Sequence, residues 1–518
     1  MTALIRGISK WMAIAAALFA TTAPLCFLLA GAVLAAANGG LRFARVNLTL
    51  LARSVALNAA AALLCMLLGM FAALSLWRTF GRGVEKIASV IPLLLLIPPF
   101  IHIQAWIFAM DRLAGFVNSL LGLNLNFTGC FAVVFTTAFA YLPVTAALGL
   151  AALIGVPRDT ADLARLEASA AKAFRYVYLP HLFQFLAAGG ALVFLLNVND
   201  YGISSLFSVN TYALELFARF SAGYDKYSVF VYSLPLIAAS LCVLSPLARY
   251  VSNGGLRFDS LASGNPFRRE KFLLFPNAAG LVIILLFMLV PIYNLLYESA
   301  RAKNAMEILS SSMPQFRYSV LVSAAAAVLS AVVALPYAYY INAARRKTVM
   351  LCAAAAPFAL PSAIAGLSMI CLWNRPLLGA VYRCPLMPSV ALLAKYAFID
   401  ILLFWFAITG LDRDLIGNMR VHYPGAIRSA WCFFRLIYRQ FFAGLLITFA
   451  LCMGEFGVTL LVTPPGYQSI TVKIYNYLHY GASETIAVLC LFVLAVILAS
   501  AAAVWLLLGM GGSYAQNR

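Results

Sequence analysis

Gly454-Glu455-Phe456-Gly457 sets a carboxylate between two glycines in a stretch, residues 441–462, that carries no other charge. A charge at that depth of an apolar run is costly in lipid, so it marks a position with a role. Asn199-Asp200-Tyr201-Gly202 repeats the order acid, aromatic, glycine 255 residues earlier, in a second apolar run. The repetition predicts an internal duplication, and the flanking sequence extends it. At the same offset Tyr141, Gly155, Arg158, Asp159, Ala188 and Gly189 recur as Tyr396, Gly410, Arg413, Asp414, Ala443 and Gly444. Upstream the offset is 265, pairing Ser54-Val55 with Ser319-Val320. Downstream it is 258, pairing Gly223 with Gly481, so three extra residues fall near Thr463-Pro464-Pro465-Gly466.

Around these motifs the composition excludes a soluble globular chain. Of 518 residues 64% are hydrophobic and 10% charged, with mean hydropathy +0.94, whereas soluble domains carry about a quarter charged residues. Apolar stretches long enough to cross a bilayer recur at residues 11–36, 54–76, 89–110, 130–154, 181–206, 229–248, 273–297, 319–342, 349–372, 388–410, 441–462 and 485–509. They predict an all-α polytopic membrane protein of about twelve transmembrane helices. The first stretch is longer than a signal-peptide core and reads as a retained helix. An even number of spans per copy makes the duplication parallel, two six-helix halves related by an axis along the membrane normal. The expected division is residues 1–250, a linker at 251–272 rich in Gly, Ser, Asn and basic residues, and residues 273–518.

The net charge of +19 is spread over short loops and forms no basic domain, so topology explains it better than nucleic acid. With the N-terminus in the cytoplasm, that side holds roughly two thirds of the Lys and Arg residues, which predicts cytoplasmic N- and C-termini. Lys395 alone lies inside a span. Ten scattered cysteines form no Cys-x-x-Cys, and His102, His181, His422 and His479 share no helical spacing or acid cluster, so neither a metal site nor a catalytic centre is expected.

The segment 155–180 is too polar to span and long enough for two short helices. Leu163, Leu166, Ala170, Phe174 and Val177 recur at intervals of three and four, which predicts one apolar stripe. Asp159 or Thr160 is placed to cap its start, and Pro180 to end it where the next span begins. Residues 412–435 have the same basic, amphipathic character, broken at Pro424-Gly425. One such loop fits a membrane-surface helix; two at equivalent positions fit a paired docking surface for a partner subunit.

A loop ending in Leu179-Pro180, followed about twenty residues later by Asp200-Tyr201-Gly202, resembles the membrane subunits of binding-protein-dependent ABC importers. The resemblance covers nearly the whole chain and is greatest to the fused two-half permeases for ferric iron and thiamine, related to those for polyamines, sulfate and molybdate. Residues 454–461, Ile474-Tyr475 and His479-Tyr480-Gly481 look like the second half of the ferric type. The resemblance implies a type I importer permease fold in the bacterial inner membrane. Its expected partners are ABC ATPase subunits, as a homodimer, and a periplasmic or lipid-anchored substrate-binding protein. It also places two coupling loops. Ala161-Asp162-Leu163 or, shifted by one, Asp162-Leu163-Ala164 stands at the family's Glu-Ala-Ala triplet, Glu167 at its glycine, and Leu179-Pro180 at its Leu-Pro. In the second half the triplet falls on Ile416-Gly417-Asn418, the glycine on His422 and the Leu-Pro on Phe434-Arg435. Both loops depart from the family pattern at most of these positions. The chain has no Gly-Lys pair and hence no P-loop, so ATP belongs to the partner and this chain binds no cofactor.

Asp200-Tyr201-Gly202 and Glu455-Phe456-Gly457 then have two readings. They line or gate the pathway, or each acid caps a broken helix where glycine interrupts the backbone. The second is the plainer, because the acid recurs in family members carrying anions and cations alike. Pro92, Pro98, Pro99, Pro357 and Pro361 are expected to kink the third span of each half. The cargo implied is ferric iron, with thiamine, phosphonate or polyamine as alternatives. A twelve-helix secondary transporter, coupled through Asp200, Lys395, Asp400 and Glu455, is the reading from another class.

Overall fold

The computed structural model describes residues 14–15, 17–39, 46–81, 91, 94, 97–122, 126–223, 225–255, 266–411, 422 and 426–509. Its principal helices are α1 (Ala23–Ala37), α2 (Leu48–Phe80), α3 (Pro99–Leu121), α4 (Gly129–Ala140), α5 (Leu142–Ile154), α6 (Arg158–Glu167), α7 (Ala170–Val198), α8 (Gly202–Leu206), α9 (Tyr212–Ser221) and α10 (Lys226–Ser252). They continue as α11 (Leu274–Arg301), α12 (Ala305–Ala343), α13 (Lys347–Ala355), α14 (Ser362–Trp373), α15 (Gly379–Tyr382), α16 (Met387–Thr409), α17 (Ala426–Met453), α18 (Thr459–Val462), α19 (Ile470–Tyr480) and α20 (Ser483–Gly509).

Among the described residues, eight helices are long and apolar enough to cross a membrane, or nine if α4 and α5, bent by 47°, form one crossing. Three expected spans differ in form. Residues 23–37 make only a 15-residue helix within the first stretch. The third and ninth stretches are broken, where a kink was expected. Pro98 and Pro361 each take an extended ψ, 141° and 135°, immediately before α3 and α14. Prolines donate no N–H and exclude the helical region from the residue before them, so Pro98-Pro99 and Pro357 to Pro361 stop the ladder outright. The prolines thus create free helix starts at mid-depth. Pro92 lies outside the described residues.

The segment after α5 also differs in detail. Pro157 occupies the N-cap of α6, with Asp159 in its first turn, so neither Asp159 nor Thr160 caps it. Pro180 does not end the segment. A π-helical turn at Phe174–Tyr178 precedes it and α7 runs through it into the membrane, because the wider turn accommodates the residue that lacks an N–H.

α2, α5 and α7 pack together, as do α12, α16 and α17. The helix before each set, α1 or α11, packs largely outside it or on the other set. α1 packs on α10 and α14, whereas α11 packs on α2, α3 and α20. Arg112 of α3 lies 3.9 Å over the Tyr297 ring of α11, bonds Asn294 at 3.1 Å and pairs with the buried Glu298. Arg375, just past α14, lies 4.9 Å over the Phe27 ring of α1.

Candidate functional site

Each acidic motif interrupts a membrane helix at the same point. α7 ends at Val198 and α8 starts at Gly202, with Asp200 Oδ1 accepting the Gly202 N–H at 2.9 Å. α17 ends at Met453 and α18 starts at Thr459, with Glu455 Oε1 accepting the Val458 N–H at 3.1 Å. Both acids therefore satisfy backbone donors freed by the break.

The same side chains also face a cavity of about 430 Å³, lined by α3, α7, α8, α14, α16, α17 and α19 and by Tyr141 between α4 and α5. Its wall is mostly apolar, with Asp200, Lys395 and Glu455 its charged side chains and Tyr141, Ser362 and Tyr396 among its polar ones. Glu455, 7% exposed, is held by Lys395 Nζ at 2.9 Å to both carboxylate oxygens and by the Tyr396 hydroxyl at 2.5 Å. Lys395 also donates to Ser362 Oγ at 3.1 Å. Asp200 has no ion pair among the described residues.

Beside the acids lies an aromatic layer. Tyr201 stacks on Phe217 at 4.4 Å, Phe456 stacks on Tyr475 at 4.0 Å, and Tyr201 meets Phe456 edge-on at 5.8 Å. The Ser362 N–H donates to the Asn199 carbonyl at 3.2 Å, and the Tyr201 hydroxyl to the Gly457 carbonyl at 3.4 Å. Two glycines permit this closeness. A Cβ at Gly457 would stand 2.8 Å from Ser362 Cβ, and one at Gly454 2.7 Å from Pro98 Cγ. At Gly202 the nearest atom would be Asp200 Oδ1 at 3.4 Å, an ordinary contact.

The cavity extends from this layer along Leu192 and Leu195 of α7 and along Leu402, Leu403 and Phe406 of α16. Leu402, Leu403 and Phe406 lie near the end of α16 that leads to residues 412–425, and Leu192 and Leu195 near the end of α7 that leads to Asp200. On α6, Asp162 and Glu167 are exposed and Ala164 is half-buried. Leu163 and Leu166, placed on an apolar stripe by sequence, are 57% and 84% exposed, whereas Phe174 packs against Phe267 and Phe272. Leu179 is half-buried and Pro180 exposed. His422 is exposed, and Gly417, Asn418, Pro424 and Gly425 lie outside the described residues.

Sequence reasoning found both acids, their aromatics and their glycines, named Lys395 only for the secondary-transporter reading and Pro98 only as a kink, and passed over Ser362. The signal for Lys395 was present, since it is the one basic residue inside a span.

No family profile matches the chain. It is 31% identical over 212 residues to the "Molybdenum transport system permease protein ModB" of Mycobacterium bovis, and equally to that of Mycobacterium tuberculosis, covering 79% of each relative and 39% of this chain. It is 27% identical to a Haloferax volcanii protein named "Probable molybdenum ABC transporter permease protein", over 76% of that relative. The multi-pass helical chain, broken at its central cavity and aligned with most of the length of these proteins, belongs to the family of ABC transporter permease subunits.

Proposed function

We propose that this chain supplies the whole membrane pathway of a binding-protein-dependent ABC importer, as two parallel six-helix halves at residues 1–250 and 273–518 joined by 251–272. One observation carries the reading: a central cavity to which both acid-aromatic-glycine turns contribute, closed by contacts between them. The duplication is supported by bonds that recur at the sequence offsets. Ser54 Oγ accepts the Tyr212 N–H and Ser319 Oγ the Ile470 N–H, each at 2.8 Å. Thr211 and Ser469 cap α9 and α19, and Gly223 and Gly481 follow those helices with φ of 76° and 71°. Thr145 bonds the Cys65 carbonyl at 2.8 Å where Asp400 accepts from Ser330 at 2.5 Å. A stretch that is 79% of the relative and 39% of this chain also fits a chain about twice as long as the relative.

With both termini in the cytoplasm, as the basic residues favour, α6 faces the cytoplasm and offers Leu163 and Leu166 to an ATPase subunit. The segment 412–425, with Gly417, Asn418, His422, Pro424 and Gly425, offers the second contact. The gate turns lie toward the periplasm, where a substrate-binding protein delivers cargo, so the cavity is inward-facing. ATP is bound and hydrolysed by the partner.

The cargo we put first is ferric iron or a ferric complex, on the resemblance of residues 454–461 to ferric-type permeases. Molybdenum is the second reading, favoured by the names of the relatives. The test is co-purification with a P-loop ATPase, then ATP hydrolysis in nanodiscs with binding protein loaded with ferric iron, molybdate, thiamine, phosphonate or a polyamine. Stimulation by the ferric form is expected. Stimulation by molybdate alone moves the cargo to the second reading. A chain that transports without any ATPase, driven by an ion gradient, is a secondary transporter.

A further inference from the structure

Phe267 lies in the connection 251–272, where a chain that only joins two bodies would run over the surface, yet it is 2% exposed. Its ring stands edge-on to Tyr178 at 5.1 Å and to Phe174 at 5.9 Å, and lies 6.1 Å from the Trp77 ring of α2. Phe174 and Tyr178 are the first and last residues of the π-helical turn in α7. Phe272 of the same segment meets Phe174 at 5.4 Å, and Leu273, also 2% exposed, is the residue before α11. Polar bonds fasten the segment to the end of α2. Arg78 Nε donates to the Arg268 carbonyl at 3.2 Å, and Arg268 Nη2 to the Thr79 carbonyl at 3.4 Å. In the first turn of α11, Asn277 Oδ1 accepts from the Thr79 hydroxyl at 3.2 Å.

We infer that Phe267 is a positioning residue that braces the π turn, so that a displacement of α6 reaches α7 and α11 together. The inference rests on the permease reading above, in which α6 takes the ATPase. α6 packs on residues 170–178 and buries Ala161 in the cluster that holds Tyr178 and Phe267, while Leu163 and Leu166 are exposed. A push on the exposed leucines is therefore delivered to the start of α7. The π turn stands between that start and the membrane span, and such turns are where helices kink. Unbraced, α7 would bend there and leave its far end, at Asp200, unmoved. With Phe267 and Phe272 packed against the turn, bending has to open the aromatic cluster and expose its apolar surface. The same segment runs directly into α11, which packs on α3 and on α20. The brace thus ties the first docking element to a helix of residues 273–518 as well as to α7.

The test is hydrogen exchange, read by mass spectrometry, on the assembled permease and ATPase complex in nanodiscs, resting and with ATP trapped by vanadate. In the unaltered complex, trapping is expected to change exchange at residues 199–206 while residues 174–178 keep their protection. Phe267→Ala is expected to bind the ATPase and trap nucleotide as the parent does and to exchange faster at 174–178. Its response at 199–206 should be about tenfold smaller than the parent's. A Phe267→Ala complex whose response matches the parent's overturns the brace. Loss of protection at 174–178 on trapping in the unaltered complex overturns it equally, and that measurement needs no variant to fold. Failure of the unaltered chain to bind any ATPase overturns the permease reading and this inference with it.

Discussion

Gly202 and Gly457 hold matching places in the two acid-aromatic-glycine turns, yet a methyl group at each meets different surroundings. Gly457→Ala drives a Cβ into Ser362 of α14, so it should destabilise the protein by about 1–3 kcal/mol. Gly202→Ala should be close to neutral. Paired thermal melts in detergent check the ordering, and equal shifts would refute the close approach. Lys395→Met strands the buried Glu455 carboxylate and should cost about 3–5 kcal/mol, with most of it recovered by adding Glu455→Gln, which keeps the bond to Tyr396. A double-mutant cycle on melting temperature measures that recovery.

The helices were legible where a period or a composition was unambiguous. Runs of twenty apolar residues gave the long crossings, and Asp200 and Glu455 marked the breaks because a charge inside an apolar run is too costly to be incidental. The broken third spans were harder to read, since a proline-bearing apolar stretch looks continuous in hydropathy whether it bends or stops. The stripe on α6 left its partner open. A period of three and four identifies a helix with one apolar face without saying whether that face meets its own protein, and here Leu163 and Leu166 are largely exposed among the described residues. That exposure sets the prediction for this element. Leu166→Asp should leave folding intact and weaken ATPase association about tenfold or more, read by binding of purified ATPase to nanodiscs. Unchanged affinity would remove α6 from the docking surface.

At the scale of the whole molecule, residues 1–250 and 273–518 are held together by more than the chain between them. Arg112 grips α11 through Tyr297, Asn294 and Glu298, whereas Arg375 grips α1 through the Phe27 ring alone. Residues 1–250 and 273–518, expressed as separate chains, should therefore still assemble. Arg112→Ala should reduce their co-purification more than Arg375→Ala, because it leaves Asn294 and Glu298, only 4% and 5% exposed, short of a partner. Equal losses would mean that the rings alone hold the crossing. None of this was visible in the sequence, because the duplication predicts which helices correspond and not which half each one packs against.

The crossed first helices bear on how the chain is made. α1 emerges early from the ribosome, but one of its two packing surfaces, α14, lies at residues 362–373. Until that segment has been translated and inserted, α1 has only α10 and lipid against it, so the amino-terminal half cannot finish its own assembly before synthesis of the other is well advanced. Carrying α1 and α14 on one polypeptide guarantees that the awaited surface arrives on the same ribosome, in fixed ratio and within reach.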